Sequence, residues 1–112
     1  MNFDFSSKYF SVNGRLIISP IKIDKCLNGN DYIIISFFKI EDQYTFSIKA
    51  QIQKRIFAKF PHPEDQLYNS IFECRFQAKS DLKNWCNQNK LKKAFNRLIP
   101  SITDQLDLFD DL

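Results

Sequence analysis

Histidine and cysteine, the side chains best suited to attack or to ligate a metal near neutral pH, number only four in this chain of 112 residues, and they are scattered. The single histidine, His62, stands between Pro61 and Pro63, and Glu64 and Asp65 follow it. Two adjacent carboxylates are hard oxygen donors, so this stretch could serve a small metal-dependent nuclease if further carboxylates converged on it; a solvated turn accounts for the same residues. Cys26, Cys74 and Cys86 are odd in number, far apart and without a C-x-x-C pair, which argues against a disulfide framework or a zinc site and for reduced, buried thiols. Gly14 and Gly29 are the only glycines, too few for a phosphate-cradling loop. No spacing supplies a nucleophile, a base and an orienting group, so the expectation is a non-enzyme with no catalytic residue, metal or cofactor.

Charge is distributed more tellingly than chemistry. Residues 1–99 hold 16 basic and 9 acidic side chains, whereas 100–112 hold four Asp and no base. Lys79, Lys83, Lys90, Lys92, Lys93 and Arg97 face only Asp81 within their stretch, and Lys49 and Arg55 lie on an alternating polar face upstream. Neutralising phosphates releases condensed counterions, so Lys49, Arg55, Lys90, Lys92, Lys93 and Arg97 are the candidates for contacting single-stranded or duplex DNA. An ordinary solvated, lysine-rich surface is the competing explanation. Most of the twelve Phe residues are expected in the core.

The elements that must carry these residues follow from periodicity. Tyr9–Val12 and Arg15–Ser19 flank Asn13-Gly14, a two-residue hairpin signal, and Pro20 ends or bulges the second of these strands. Asn28-Gly29-Asn30-Asp31 reads as a turn. Tyr32–Ile40 is nearly continuously apolar and suits a mid-sheet strand. Tyr44, Phe46, Ile48, Ala50 and Ile52 alternate with polar residues, and Tyr68 to Gln77 alternates likewise. Ser80 caps a helix that breaks near Asn87-Gln88-Asn89, with Asn89 as a new cap; Leu91, Ala94, Phe95 and Leu98 form the stripe of its second piece, which Pro100 ends. The expected class is α+β: an antiparallel sheet or small barrel of about five strands, then a kinked helix or two short helices, as one domain over 1–99 with an acidic tail over 100–112. No apolar run is long enough to span a bilayer and the start lacks the pattern of a secretion signal, so a soluble, cytoplasmic protein without a membrane partner is expected.

The tail contains Gln105-Leu106-Asp107-Leu108-Phe109, which closely resembles the pentapeptide by which bacterial replication and repair proteins bind the DNA sliding clamp. That family pattern is Gln-Leu-Ser/Asp-Leu-Phe, and all five positions match. The resemblance implies that Gln105 orients an extended peptide through its amide, that Leu108 and Phe109 fill an apolar pocket of the clamp, and that Leu106 adds a smaller contact. It implies a non-enzymatic accessory or regulatory protein of bacterial, phage or plasmid DNA replication or repair. Two other accounts stand beside it. Ile102, Leu106 and Phe109 also fit a further helical turn packed on the body. An acidic, Phe-containing end is similar to the tails of bacterial single-stranded-DNA-binding proteins as well, which would make the body a barrel gripping single strands; there the aromatic residue sits at or beside the last position, and here three residues follow Phe109.

Overall fold

Four strands in meander order build the sheet in the computed structural model, which describes residues 8–98. They are β1 Lys22–Asn28, β2 Asp31–Ile40, β3 Gln43–Ile52 and β4 Arg55–Lys59, each antiparallel to the next. Two-residue turns join them, and those turns fix the register. Gln53 and Lys54 both take positive φ, 51° and 70°, between the paired residues Ile52 and Arg55, the backbone twist that suits a tight hairpin. Gly29, at φ 65°, supplies the left-handed residue between β1 and β2.

Alternation then divides the sheet into two faces. Ile33, Ile35 and Phe37 of β2 pair with Ala50, Ile48 and Phe46 of β3, and all six are buried with Ile52 on the face that carries the helices. Ser70 opens α1, Ile71–Gln88: its hydroxyl accepts the Glu73 N–H at 3.1 Å, capping the helix, and donates to the Glu73 carboxylate at 3.5 Å. Cys74, Ala78, Leu82 and Cys86 recur every four residues and are fully buried. The helix ends at Asn89, whose amide donates to the Trp85 carbonyl, and the chain turns through Lys90 at φ 59°. Residues 92–98 form α2, which with Leu91 delivers Ala94, Phe95 and Leu98 to the same core.

The class is therefore α+β with four strands, not five, and no barrel closes among the described residues, β1 and β4 being the two edges. Three expectations give way for local reasons. The proposed hairpin around Asn13-Gly14 survives as a turn with one isolated bridge, Phe10 to Leu16, because only Gly14 takes positive φ and no ladder forms on either side. Tyr68–Gln77 is not a strand. Only Tyr68 pairs, with Tyr44, after which the Ser70 cap starts the helix ten residues before Ser80, and the apparent apolar alternation leaves Phe72 and Phe76 exposed. Asn89 closes the first helix instead of opening the second.

On the other sheet face, Phe38, Ile40 and Thr45 are buried at the end nearest the β2–β3 turn, where the Tyr9 hydroxyl bonds the Glu41 carboxylate. Further along, the row Leu27, Tyr32, Gln51, Ile56 leaves Leu27 and Ile56 about 70% exposed, at 72% and 69%.

The three thiols are buried in the helix-side core. Burial, which disfavours the thiolate, pushes Cys26 and Cys86 up from near 9 to about 11 and Cys74 to about 12; the Asp24 charge adds to the effect at Cys26. A thiol-reactive disulfide reagent at mildly alkaline pH is thus expected to find no reactive thiol in the folded protein and all three after unfolding. Because the folded values are the higher ones, this contribution to stability is complete below the unfolded thiol range and is lost as pH rises from there through 11 and 12. Rapid labelling of the native chain would show that the helices do not cover these residues.

Candidate nucleic-acid interface

Three turns meet at one end of the sheet. The Gln53 N–H donates to the Asp31 carboxylate at 2.9 Å and the Gln51 amide donates to the Asn30 carbonyl at 3.1 Å, tying the β1–β2 turn to the β3–β4 turn. Arg55, first residue of β4, stands by register on the helix face and places Nη1 3.3 Å from Asn89 Oδ1. That bond sets the β3–β4 turn against the α1–α2 junction. Beneath it, the rings of Phe57 and Trp85 stack at 5.2 Å between centroids, which holds β4 to the last turns of α1.

The effect is to bring Lys54 and Arg55 beside Lys90, with Lys92 and Lys93 on the next turn and Arg97 one turn beyond Lys93. All six are exposed. Asp31 is the acidic neighbour at this corner, and its Oδ1 is already occupied by a backbone N–H. Of the residues singled out by sequence, Arg55 and Lys90 meet at this junction, and Lys92, Lys93 and Arg97 lie on the exposed surface of the α2 that follows it. Lys49 is not among them. It lies between the inward-facing Ile48 and Ala50, opposite Ile34 and Ala58, and so emerges on the other face of the sheet. Lys54, which periodicity alone does not single out, joins them because the two-residue turn between β3 and β4 sets it beside Arg55.

Comparison with known proteins finds no family model that matches the chain and no curated protein or solved structure of significant similarity.

Other chemistry is sparse. Asp65 lines a cleft of about 160 Å³ with Thr45, Phe46, Lys59, Gln66 and Tyr68, but its Oδ2 accepts the His62 N–H at 2.9 Å, closing the Pro61–Asp65 turn on itself. Glu64 is exposed outside that cleft. Lys59 is engaged by Asp81 at 2.6 Å, and burial pushes the Tyr68 phenol above its ordinary value. Among the described residues no three His, Cys, Asp or Glu side chains gather to hold a metal ion. The buried ion pair lies elsewhere: Arg75 Nε is 2.9 Å from Asp24 Oδ2, with the guanidinium 5.4 Å from the Phe37 ring centroid. The proposed docking residues Gln105, Leu106, Asp107, Leu108 and Phe109 lie outside the described residues. No helix of the described residues is long and apolar enough to cross a membrane.

Proposed function

We propose that this chain is a non-enzymatic accessory or regulatory protein of bacterial, phage or plasmid DNA replication or repair that docks on the DNA sliding clamp through Gln105–Phe109. The match at all five positions of the docking peptide carries the reading. One further observation supports it. The segment from 100 to 112 differs in kind from the body, having four acidic and no basic residues.

Such a peptide gives moderate affinity. A Leu and a Phe side chain entering a preformed apolar pocket contribute a few kcal/mol at about 25 cal/mol per Å², from which the cost of ordering the peptide is subtracted. A link of that strength suits a protein that shares one clamp with other partners, either bringing its body to DNA or holding the pocket against them.

The experiment is a pull-down of a bacterial sliding clamp with the full chain and with residues 1–100. The full chain captures the clamp and the truncated chain does not, while truncation shifts the melting temperature by no more than a degree or two. Loss of cooperative unfolding on truncation would instead assign Ile102, Leu106 and Phe109 to the core of the body and sink the docking peptide.

A further inference from the structure

We propose that the basic corner formed by the β3–β4 turn and the α1–α2 junction binds the phosphodiester backbone of duplex DNA. This goes beyond clamp docking and does not depend on it. Lys54, Arg55, Lys90, Lys92 and Lys93 come from two stretches more than thirty residues apart and are brought together by the Arg55–Asn89 bond, so the charge is gathered by the fold and not by one run of sequence. The support is stiff: the turn carrying Lys54 and Arg55 is held by Asp31 and by the Ile52–Arg55 pair, and the junction by the Asn89 bonds to Trp85. Cations on a fixed frame lose less side-chain and loop entropy on meeting a fixed array of phosphates than cations on a loose one.

The choice of duplex over single strand rests on where the rings are. Gripping a single strand requires exposed aromatic faces beside the charge, on which successive bases stack. The exposed rings Phe72 and Phe76 lie on the N-terminal half of α1, and Phe76 is thirteen residues, about 20 Å of helix, from Asn89. Phe60, also exposed, is five residues beyond Arg55, about 16 Å along an extended chain. Under the corner, Phe57 and Trp85 are half-buried and turn a face to each other, and Tyr32, beside Asp31, is half-buried in the row between Leu27 and Gln51 on the other face of the sheet. Charge without stacking recognises the backbone, and the duplex, with one phosphate charge per about 1.7 Å of axis, offers the denser array.

The test is a fluorescence anisotropy titration of the full chain against a labelled mixed-sequence duplex and a labelled oligo(dT) of equal length over a series of salt concentrations. The duplex binds more tightly than oligo(dT), and the logarithm of its affinity falls linearly with the logarithm of salt. Replacing Lys54, Arg55, Lys90, Lys92 and Lys93 by Gln lowers duplex affinity at least tenfold and flattens the salt slope by about 0.9 for each phosphate contact removed. Lys92→Gln with Lys93→Gln, on an exposed helix surface, gives a partial loss that cannot come from unfolding, while Lys25→Gln with Lys49→Gln, on the opposite sheet face, changes neither affinity nor slope. The five-residue variant still captures the clamp through its intact tail, so failure at the corner and failure of the docking peptide are read separately. Absence of duplex binding by the parent chain, an unchanged slope in the five-residue variant, or tighter binding of oligo(dT) each overturns the proposal. Duplex binding that emerges only on removal of residues 101–112 does so too, because the acidic tail would then be the corner's occupant.

Discussion

Replacement of Arg75 by Met is expected to lower the free energy of unfolding by about 3–5 kcal/mol, the usual consequence of leaving one charge of a buried pair behind. Arg75 and Asp24 are each 3% exposed, one on α1 and the other 51 residues earlier on the edge strand β1. Nε meets Oδ2 at 2.9 Å and Nη2 lies 3.5 Å from Oδ1, so the fork of the guanidinium faces both carboxylate oxygens. Met retains most of the apolar stem over Phe37 but leaves the Asp24 carboxylate in the core without the guanidinium. Since a domain of this size has about 5–15 kcal/mol in total, the variant should be marginal in urea at room temperature. The double change Asp24→Leu with Arg75→Met should recover most of the loss, because an apolar pair of similar volume has no ions to desolvate. Equilibrium denaturation of the parent, the single and the double variant decides the matter. A single variant within about 1 kcal/mol of the parent would mean that water reaches Asp24 and that the pair is not closed.

The second large effect concerns binding. Leu108→Ala with Phe109→Ala is expected to abolish capture of the sliding clamp while leaving the urea midpoint of the body unchanged. Anchors that fill a partner's pocket dominate the energy of a short peptide, and removing both leaves little to offset the ordering of the segment. Gln105→Ala should weaken capture less, since one amide hydrogen bond contributes about 1 kcal/mol net where water competes for its partner. Asp110→Asn with Asp111→Asn should matter least, as charges outside the five matched positions act at a solvated rim and affect the association rate more than affinity. The order of these three effects is diagnostic. A double alanine variant that binds like the parent, or one that unfolds the body, removes the docking assignment.

Much of the architecture could be read before any coordinates, and the reason is two-fold periodicity. Phe46, Ile48, Ala50 and Ile52 alternate with polar neighbours, and all four lie buried on one face of β3. The near-continuous run from Tyr32 to Ile40 became a strand with a neighbour on both sides. The helical break at Asn89 and the stripe Leu91, Ala94, Phe95, Leu98 were equally legible, because a turn and an i, i+3, i+4, i+7 pattern are local signals. What failed was a contest between two local signals over one stretch. Tyr68–Gln77 alternates as a strand would, yet Ser70 followed by Glu73 three residues later is a helix-start signature, and the cap won, because the helix it starts can bury Cys74, Ala78, Leu82 and Cys86 along one line against the sheet. The short β4 escaped notice since Arg55–Lys59 alternates charge and bulk weakly and is stabilised by pairing with β3.

The sequence alone thus determined the α+β class, the central strands and the break between the helices, together with the five residues that resemble a docking peptide, all of them properties written in neighbouring positions. Tertiary structure alone decided which charges stand together. Lys49 and Arg55 are six positions apart and looked like one polar face, but the register turns Lys49 to one side of the sheet and Arg55 to the other. Arg55 and Lys90, with 34 residues between them, became neighbours through a single bond to Asn89, and Asp24 and Arg75 became a buried pair across the core. Pairings of this kind depend on how a sheet and a helix cross, and the crossing is set by packing between residues remote in sequence, which no local period records.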